Sequence, residues 1–461
     1  MWRMRWRGLL AAVLVVLPAA GAAPRVAAQA PPERPNVLII LTDDQRASGT
    51  LHAMPRTRKW FLEGGTRYVN ALATTPTCCP SRASIMTGLY AHNHGVHTSA
   101  DGQAENMDQA LTMQRHLRDD GYRTGIFGKY LNGWGREVDP PSFDEWAILS
   151  SGTSRIYYDG RWNVQGRPKL LRKYSTRIVQ KKALEFLRAG EGADDQPWLL
   201  YVTPTSPHLP AIPEPSHADT DIPRMNLTPA MLEEDRSDKP PEVREQEIPL
   251  SQVREWRRQQ LRSLKSVDEM VGSLLSVLVE LGESEDTLAI FLSDNGFLWG
   301  EHGLSQKIRP YAASVEIPFL VRWPGHVEPG GVDERLIANL DIAPTVLEAA
   351  GVEPRHSYDG RSFLTSERDR LLLEQWKRPA RTVPDWAATR TPDYLYVEYY
   401  AEDRLVPGYR EYYDLVEDPW ELLNLLGDAD PTNDPPTAAE LSVQLHRDVS
   451  CAGTTGPSAC P

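Results

Sequence analysis

The segment NVLIILTDDQ, residues 36–45, places five consecutive apolar residues, Val37 to Leu41, shortly before two acids, Asp43 and Asp44. A continuous apolar run of this length is typical of a strand that is buried on both faces of a parallel sheet. In wound α/β sheets, ligands bind outside the carboxyl ends of the strands. We therefore expect Asp43 and Asp44 to lie at the functional edge of such a sheet.

Three further segments repeat this arrangement of an apolar strand followed by polar residues. PWLLYVTPTSPH ends near His208, YRTGIFGKY ends at Lys129, and DTLAIFLSDNG leads into Asp294 and Asn295. Between the strands, apolar residues spaced by three and four predict helices, most clearly over residues 261–281. Strands that alternate with helices predict a large, mostly parallel α/β sheet covered by helices.

The pattern changes along the chain. Residues 210–249 are rich in proline and charge and have no period, which predicts a long surface loop. Nearer the C-terminus, YLYVEYY and YREYYDLVEDP predict short antiparallel strands, and PWELLNLL predicts a final helix. We expect a catalytic domain over residues 31–366 and a C-terminal α+β subdomain with a short antiparallel sheet over residues 367–461.

The N-terminus is typical of an export signal. Arg3, Arg5 and Arg7 precede the apolar run GLLAAVLVVLP and a stretch of small residues, so residues 1–30 are expected to be a signal peptide. The apolar run is too short to span a bilayer as a stable helix, and no second run is long enough. We expect a secreted mature chain without an integral membrane segment.

Composition limits the possible ligands. Of 461 residues, 41% are apolar and 25% are charged, as in an ordinary globular protein, and the net charge is −13. This charge disfavours a general nucleic-acid binder, since it would not attract a polyanion. An anionic substrate must therefore be held by a local cluster of positive charge.

The cysteines fall into two pairs. In an exported chain, Cys451 and Cys460 are natural disulfide partners across the short loop CAGTTGPSAC, although four cysteines allow three pairings. Cys78 and Cys79 remain, and adjacent cysteines rarely form a bridge because its geometry is strained. Pro80 suits the first turn of a helix. Cys78 should thus lie at a helix N-terminus, where the pKa of its thiol is expected to fall.

The strand ends and Cys78 together suggest a metal site with a reactive group. Asp43, Asp44 and Asp294 supply carboxylates and Asn295 an amide oxygen, a donor set suited to Ca²⁺ or Mg²⁺. A thiol that attacked a sulfate or phosphate ester would, however, remain in a stable covalent product. The residue types alone therefore predict a reactive cysteine beside a metal and leave the reaction open.

A resemblance to a known family supplies the missing step. Residues Cys78 to Arg82, followed by Thr87 and Gly88, resemble the signature C-x-P-S-R-x-x-x-x-T-G of the sulfatases. Further segments over roughly residues 35–351 also resemble sulfatase blocks, in the family's order: NVLIILTDDQ, GKYLNGW, PHLP, SDNG, GEHGLSQK and LDIAPTVLEAAG. The ending YYDLVEDPWELLNL is similar too, and CCPSRASIMTGLYAHNHGV with GKYLN resembles the N-acetylglucosamine-6-sulfatase branch most.

The resemblance implies an alkaline-phosphatase-like fold and a modified nucleophile. In this family a formylglycine-generating enzyme oxidises the first cysteine of the motif, here Cys78, to the aldehyde Cα-formylglycine. Its hydrate offers one hydroxyl to attack sulfur and a second to expel sulfate, which removes the chemical objection. The resemblance further implies one Ca²⁺ ion, held by Asp43, Asp44, Asp294, Asn295 and an oxygen of modified Cys78.

The resemblance also assigns roles to the remaining site residues. Arg82 should stabilise the hydrate, and Lys129 and Lys307 should bind the sulfate oxygens. His208 is expected to contact sulfate and protonate the leaving oxygen. His94 lies in a family-like block with a less defined role.

Some positions are open or depart from the family pattern. His302, like His94, lies in a family-like block and could act from a second layer. Leu131 replaces the histidine of a G-K-W-H motif, which leaves open which histidine acts on the hydrate. Ala312 and Glu316 replace the glutamate and arginine of Y-E-x-x-x-R-x-P, so packing near Lys307 is expected to differ.

The leading hypothesis is an exported, calcium-dependent sulfatase that acts on a sugar such as N-acetylglucosamine 6-sulfate and on aryl sulfates. One alternative is a phosphatase or phosphodiesterase of the same superfamily, which the cysteine in an intact motif disfavours. Another is an inactive protein that binds sulfated glycans, which the complete set of site residues disfavours. Loops over 132–172 and 210–250 are expected to set the specificity.

Overall fold

The computed structural model describes residues 1–2, 34–150, 155–190, 196–377, 383–401 and 406–461. Residues 3–30 of the expected signal peptide lie outside the described residues. The strands are β1 (Asn36–Thr42), β2 (Thr66–Leu72), β3 (Arg123–Gly128), β4 (Glu145–Leu149), β5 (Gly160–Val164), β6 (Arg167–Leu171), β7 (Trp198–Thr203), β8 (Thr287–Ser293), β9 (Leu298–Trp299), β10 (Ser305–Gln306), β11 (Phe319–Arg322), β12 (Gly331–Ala338), β13 (Leu371–Gln375), β14 (Asp385–Arg390), β15 (Tyr394–Tyr400) and β16 (Pro407–Asp414).

The α-helices, in chain order, are α1 (Pro55–Arg58), α2 (Cys78–Thr87), α3 (Ala91–His94), α4 (Met113–Asp119), α5 (Ser175–Ala189), α6 (Pro241–Arg244), α7 (Leu250–Glu280), α8 (Ala312–Val315), α9 (Ile342–Ala350) and α10 (Ala438–Asp448). Across the described ranges, no helix combines the length and the apolar character that crossing a membrane requires.

A ten-stranded mixed sheet forms the centre of the molecule, in the order β12-β2-β11-β8-β1-β7-β3-β4-β5-β6. Five adjacent strands run parallel to one another: β8, β1, β7, β3 and β4. At one side of this group β11 is antiparallel to β8, and at the other side β5 is antiparallel to both β4 and β6. The four strands inferred from apolar runs are therefore neighbours, and their carboxyl ends meet at one edge.

Helices cover both faces of this sheet because β1 is apolar on both sides. Val37, Ile39 and Leu41 pack in one core with side chains of α2, α4 and α9. Leu38 and Ile40 pack in a second core with side chains of α5 and α7. The expected fold, a large and mostly parallel sheet between helices, is confirmed.

The helix expected over 261–281 is longer than its apolar pattern. It is α7, which begins directly after Pro249. Its first turns bury fewer side chains than the rest of the helix does. Residues 210–249 contain only short helical turns, including α6, so the prediction of a long irregular segment is confirmed.

A second, four-stranded antiparallel sheet, β13-β14-β15-β16, lies in the C-terminal part with α10 beside it. The antiparallel sheet expected there and the disulfide between Cys451 and Cys460 are both present. The prediction of a helix over residues 419–426 was wrong, since these residues form turns. The Leu423 N–H bonds to the Asp418 side chain and the Leu425 N–H to the Tyr412 carbonyl, so the backbone is held by β16 and a turn.

His92 links helix α3 to the C-terminal part of the chain. Its Nδ1 lies 3.0 Å from Glu374 Oε2 on β13, and its Nε2 lies 2.9 Å from the Cys451 carbonyl oxygen. Burial alone would lower the pKa of His92, but the charge and hydrogen bond of Glu374 raise it to about 9. The ring is therefore positively charged at neutral pH and pairs with a buried carboxylate.

We expect stability to fall at alkaline pH because of this pair. The folded-state pKa lies above the ordinary value of 6.5, so the stabilisation is complete below that pH and is lost as pH rises through about 9. The loss is on the order of 3 kcal/mol. Denaturant unfolding at several pH values should show an alkaline loss that is larger in the native chain than in His92→Gln by about this amount. An equal pH dependence in both proteins would contradict it.

Candidate active site

The carboxyl ends of the central strands bring the site residues together. In the register of β1 and β8, Thr42 lies beside Ser293, which makes Asp43 and Asp294 neighbours. The Asp294 N–H bonds to the Thr42 carbonyl at 3.1 Å. The Lys129 N–H bonds in the same way to the last residue of β7, at 2.8 Å. The residues that were inferred from separate strands thus share one edge.

Helix α2 places Cys78 at this edge. The helix begins at Cys78 and ends at Thr87, and the residue that caps it, Gly88, has a left-handed φ of 67°. A side chain at Gly88 would also meet the Tyr358 ring, since a Cβ atom there would lie 2.4 Å from it. The Cys78 Sγ lies 3.4 Å from Asp43 Oδ1. The motif therefore forms a short buried helix that aims its first residue at the strand ends.

Lys307 lies at the centre of the cluster. Its Nζ is 2.7 Å from Cys78 Sγ and 3.5 Å from Asn295 Oδ1, and it pairs with Asp44 Oδ1. Asp44 has a φ of 67°, a conformation that residues other than glycine rarely adopt. Its N–H bonds to Asp294 Oδ1 at 3.1 Å, which helps to hold this conformation.

Lys129 and His208 approach the carboxylates from the cleft. Lys129 Nζ lies 2.7 Å from Asp43 Oδ2. His208 Nε2 lies 3.7 Å from Asp44 Oδ2, and its Nδ1 lies 2.6 Å from the Leu209 carbonyl oxygen. Because a carbonyl only accepts, Nδ1 carries a proton and Nε2 is the nitrogen that faces the site.

Arg82, on helix α2, contacts two of the strand ends that form the cluster. Its Nε donates to Asp294 Oδ2 at 2.8 Å and its Nη1 to the Lys129 carbonyl at 2.9 Å. Both members of the pair Arg82–Asp294 are essentially buried. The Arg82 Nη2 has no hydrogen-bond partner among the described residues. Arg82 thus connects α2 with β8 and with the end of β3.

The site groups alter one another's proton affinity. Burial alone would raise the pKa of Asp43 and Asp44, but the charges of Lys129 and Lys307, respectively, hold both below their usual value. Burial would lower the pKa of the two lysines, but the facing carboxylates raise both. The site therefore contains carboxylates and ammonium groups in their charged forms at neutral pH.

The expectation of a lowered pKa at Cys78 was wrong. Burial raises the pKa of its thiol to about 12, and Asp294 and Asp43 act in the same direction. Lys129 and Lys307 oppose this shift without overcoming it. The helix N-terminus is visible in the sequence, whereas the complete burial of the sulfur atom depends on tertiary packing.

The two histidines left open lie outside the cluster. His94 is buried, and its Nε2 lies 3.0 Å from Ser84 Oγ on α2; burial lowers its pKa to about 3. His302 contacts Glu233, with Nδ1 at 2.8 Å from the carboxylate. Burial would lower the pKa of His302, but Glu233 and Glu421 raise it to about 9. Both histidines support segments that carry site residues.

The departures from the family pattern have local explanations. Leu131 is buried and lines the cleft where a histidine was considered. The Ala312 N–H bonds to Glu421 at 3.0 Å, so an acid of the C-terminal part caps α8. Glu316 pairs with Arg390 at 3.4 Å. Packing near Lys307 therefore depends on the C-terminal residues.

A cleft of about 420 Å³ opens beside the cluster and is lined by Asp43, Lys129 and His208. Its rim includes Asp101, Trp134 and Arg136, none of which was predicted as a site residue. Trp134 and Arg136 lie in the loop after β3, a few residues beyond its end, and could have been inferred from that position, whereas Asp101 had no such signal. The segment 132–172, which was expected to be a loop, contains strands β4, β5 and β6 and contributes to the cleft. Residues 210–250 do not line the cleft.

The donor atoms are close enough to hold one cation. Among the described residues, ligand atoms of Asp43, Asp44, Cys78 and His208 all lie within 4.8 Å of one another. The oxygen atoms of Asp294 and Asn295 adjoin this group through their contacts with Asp44 and Lys307. The arrangement can hold a hard cation and an anionic group side by side.

Two family models match the chain. The model described as sulfatase matches residues 35–352, and the model described as N-sulphoglucosamine sulphohydrolase, C-terminal, matches residues 300–449. The first match covers most of the chain, including every residue of the cluster. The segments between residues 35 and 351 that resembled sulfatase blocks lie inside it, and the ending YYDLVEDPWELLNL lies inside the second match.

The chain is also similar to individual sulfatases. It is 34% identical to an extracellular sulfatase SULF-1 homolog of Drosophila melanogaster over 74% of this chain, but it spans only 32% of that relative. It is 27% identical to an N-acetylglucosamine-6-O-sulfatase of Bacteroides thetaiotaomicron, with 86% and 84% of the two chains covered.

A solved structure shares the fold. A protein in complex with its substrate D-glucosamine-2-N,6-O-disulfate superimposes with a TM-score of 0.78 at 23% identity, covering 90% of this chain and 97% of that one. The fold, the strand-end cluster and the family match lead to one conclusion. This chain belongs to the sulfatase family.

Proposed function

We propose that this protein hydrolyses sulfate monoesters of a carbohydrate, with position 78 as the nucleophile after conversion of Cys78 to Cα-formylglycine. One observation carries the proposal: Cys78 Sγ lies 3.4 Å from Asp43 and 2.7 Å from Lys307, beside the cleft. A nucleophile between carboxylates and an ammonium group, at the end of a helix, suits attack on an anionic ester.

We propose that the same cluster binds one Ca²⁺ ion, with oxygen ligands from Asp43, Asp44, Asp294, Asn295 and modified Cys78. Carboxylate and amide oxygens are the donors that this ion prefers. The Lys307 ammonium lies among three of these side chains, so the position already accommodates a positive charge. When bound, calcium supplies positive charge that polarises a sulfate oxygen and lowers the pKa of a hydroxyl group.

The hydrated aldehyde would supply two hydroxyl groups on one carbon, one to attack sulfur and one to expel sulfate. Arg82 is suited to orient it, because its guanidinium is buried on α2 and retains an Nη2 group without a partner among the described residues. The bond from its Nε to Asp294 fixes the plane of the guanidinium.

Lys129, Lys307 and His208 are assigned to the substrate. The two buried lysines place positive charge beside the sulfate oxygens. This charge binds the negative sulfate group and stabilises the redistribution of its charge during the reaction. His208 presents Nε2 to the site, since Nδ1 is occupied by the Leu209 carbonyl. A proton on Nε2 can pass to the leaving oxygen of the sugar.

The substrate assignment rests on the relatives and the cleft. Sulfatases of the N-acetylglucosamine-6-sulfatase type are among the similar proteins, so we propose the 6-sulfate of N-acetylglucosamine. Trp134 on the rim offers an aromatic surface to a sugar ring.

We further propose that residues 1–30 direct export and that a formylglycine-generating enzyme matures Cys78. We also propose that residues 31–366 and 367–461 form the two domains.

The experiment compares N-acetylglucosamine 6-sulfate with its 6-phosphate, using protein produced together with a formylglycine-generating enzyme. We expect kcat/KM to be at least about 100-fold higher for the sulfate, because the site is matched to that ester. A preference for the phosphate would instead support a phosphatase. Binding of the sulfated sugar without any turnover would support an inactive binding protein.

A further inference from the structure

The hairpin of β5 and β6 concentrates positive charge in an otherwise acidic chain. The net charge of the chain is −13, yet residues 155–173 contain six basic side chains and only one acidic one, Asp159. All six are exposed. We call this segment the basic hairpin, and its charged residues are Arg155, Arg161, Arg167, Lys169, Arg172 and Lys173.

Five of the six basic side chains of the hairpin, all except Arg161, form no ion pair with a described residue. Elsewhere, arginines such as Arg177, Arg335 and Arg370 pair with carboxylates. The five side chains without an ion pair in the described ranges are those of Arg155, Arg167, Lys169, Arg172 and Lys173. Arg161 has a contact of its own. Unpaired charges of one sign create a potential that attracts the opposite charge.

The basic hairpin begins next to the cleft. Because β5 is antiparallel to both β4 and β6, β6 runs parallel to β4 and ends at the same edge of the sheet. Leu149 and Ser150, at the end of β4, line the cleft, and Arg172 and Lys173 follow the end of β6. From Arg167 to Lys173 the stripe is about 20 Å long.

A purely structural explanation accounts for only part of this charge. β6 is an edge strand, and edge strands commonly carry lysine or proline to prevent pairing with another chain. Pro168 and Lys169 already meet that need. Arg155, Arg172 and Lys173 lie outside the strand, where they cannot block edge pairing. Arg155 precedes Ile156 of the cleft lining, and Arg172 and Lys173 follow β6, two strands from β4 at the same edge of the sheet. These positions fit a ligand that extends beyond the cleft.

We propose that the basic hairpin binds a polyanionic glycan chain, so that one sulfated sugar enters the cleft while neighbouring sulfated sugars lie along β6. The inference deepens the proposed function and rests on it. A sulfated polysaccharide repeats its negative charges along its length and thus complements a stripe of this kind. The contacts add affinity for the chain without touching the reacting ester.

The test compares two variants with four substitutions each, which remove the same amount of positive charge. The hairpin variant carries Arg167→Gln, Lys169→Gln, Arg172→Gln and Lys173→Gln. The control variant changes four exposed basic residues elsewhere and carries Arg58→Gln, Lys59→Gln, Arg67→Gln and Arg447→Gln. The probe is a heparin fragment of about twelve sugars at low salt, where surface charge acts most strongly. We expect binding to weaken about tenfold or more in the hairpin variant and about twofold or less in the control.

Each outcome separates this inference from the proposed function. Turnover of a small aryl sulfate should stay within about twofold in both variants, because the changed residues lie outside the catalytic cluster. Equal loss of heparin binding in the two variants would overturn the inference. So would equal affinity of the native chain for single-stranded DNA of similar charge. Absence of turnover in every variant, with selective heparin binding retained, would instead contradict the proposed function alone.

Discussion

The Cys78→Ala variant, produced together with a formylglycine-generating enzyme, should lose roughly 10⁴-fold or more of kcat/KM for sulfate esters. The loss is this large because the change removes the atom that forms the covalent bond, while only binding and electrostatic contributions remain. Stability should change little, because the removed group is a single buried sulfur atom. Sulfate release and thermal unfolding measured on the same preparation check both points.

The control for this variant is Cys79→Ala. Cys79 is adjacent, equally buried, and fills the variable position of the motif, with its Sγ near the Asn132 carbonyl. The Asn132 contact of Cys79 is on the cleft side of α2, whereas the Cys78 Sγ lies 3.4 Å from Asp43 Oδ1. We expect Cys79→Ala to retain activity within about tenfold. A similar loss in both variants would contradict the assignment of position 78 as the nucleophile.

The Asp294→Asn variant should lose calcium binding and activity together. The substitution keeps the shape of the side chain but removes one charge from the proposed ligand set. We expect calcium affinity to fall by about 100-fold or more and kcat to fall by about 1,000-fold. Breaking the buried pair with Arg82 should also cost about 3 kcal/mol of stability. Titration calorimetry with Ca²⁺ and denaturant unfolding measure the two effects separately.

Asp341→Asn is a matched control for this loss. Asp341 is also buried and pairs with a buried arginine, Arg368, but it lies outside the cluster. Both variants should lose a similar amount of stability, and only Asp294→Asn should lose calcium affinity. Retained activity of Asp294→Asn without bound calcium would contradict the proposed metal site.

The sequence allowed the centre of the sheet to be predicted because its strands are apolar on both faces. The strands that end at Asp43, Lys129 and Asp294 are adjacent and parallel, so identifying each strand end also placed its polar residue. A polar residue can be placed in this way wherever a regular element determines the position of its side chain. His208, a few residues beyond β7, still falls within reach of it.

Other features could not be predicted because they depend on tertiary contacts. Lys307 follows the short strands β9 and β10, and only the resemblance to sulfatases indicated its place. The apolar pattern over 419–426 suggested a helix, but backbone bonds to β16 and to Asp418 hold it as turns. The pKa of Cys78 rises because helices and strands bury it completely, which no local pattern reports.

The most direct test of the central claim is the mass of the tryptic peptide YVNALATTPTCCPSR, residues 68–82, from protein produced together with a formylglycine-generating enzyme. The account predicts a peptide in which position 78 carries the lighter aldehyde and position 79 remains a thiol. A peptide with two unmodified thiols, despite a competent modifying enzyme, would contradict the formylglycine mechanism for this chain.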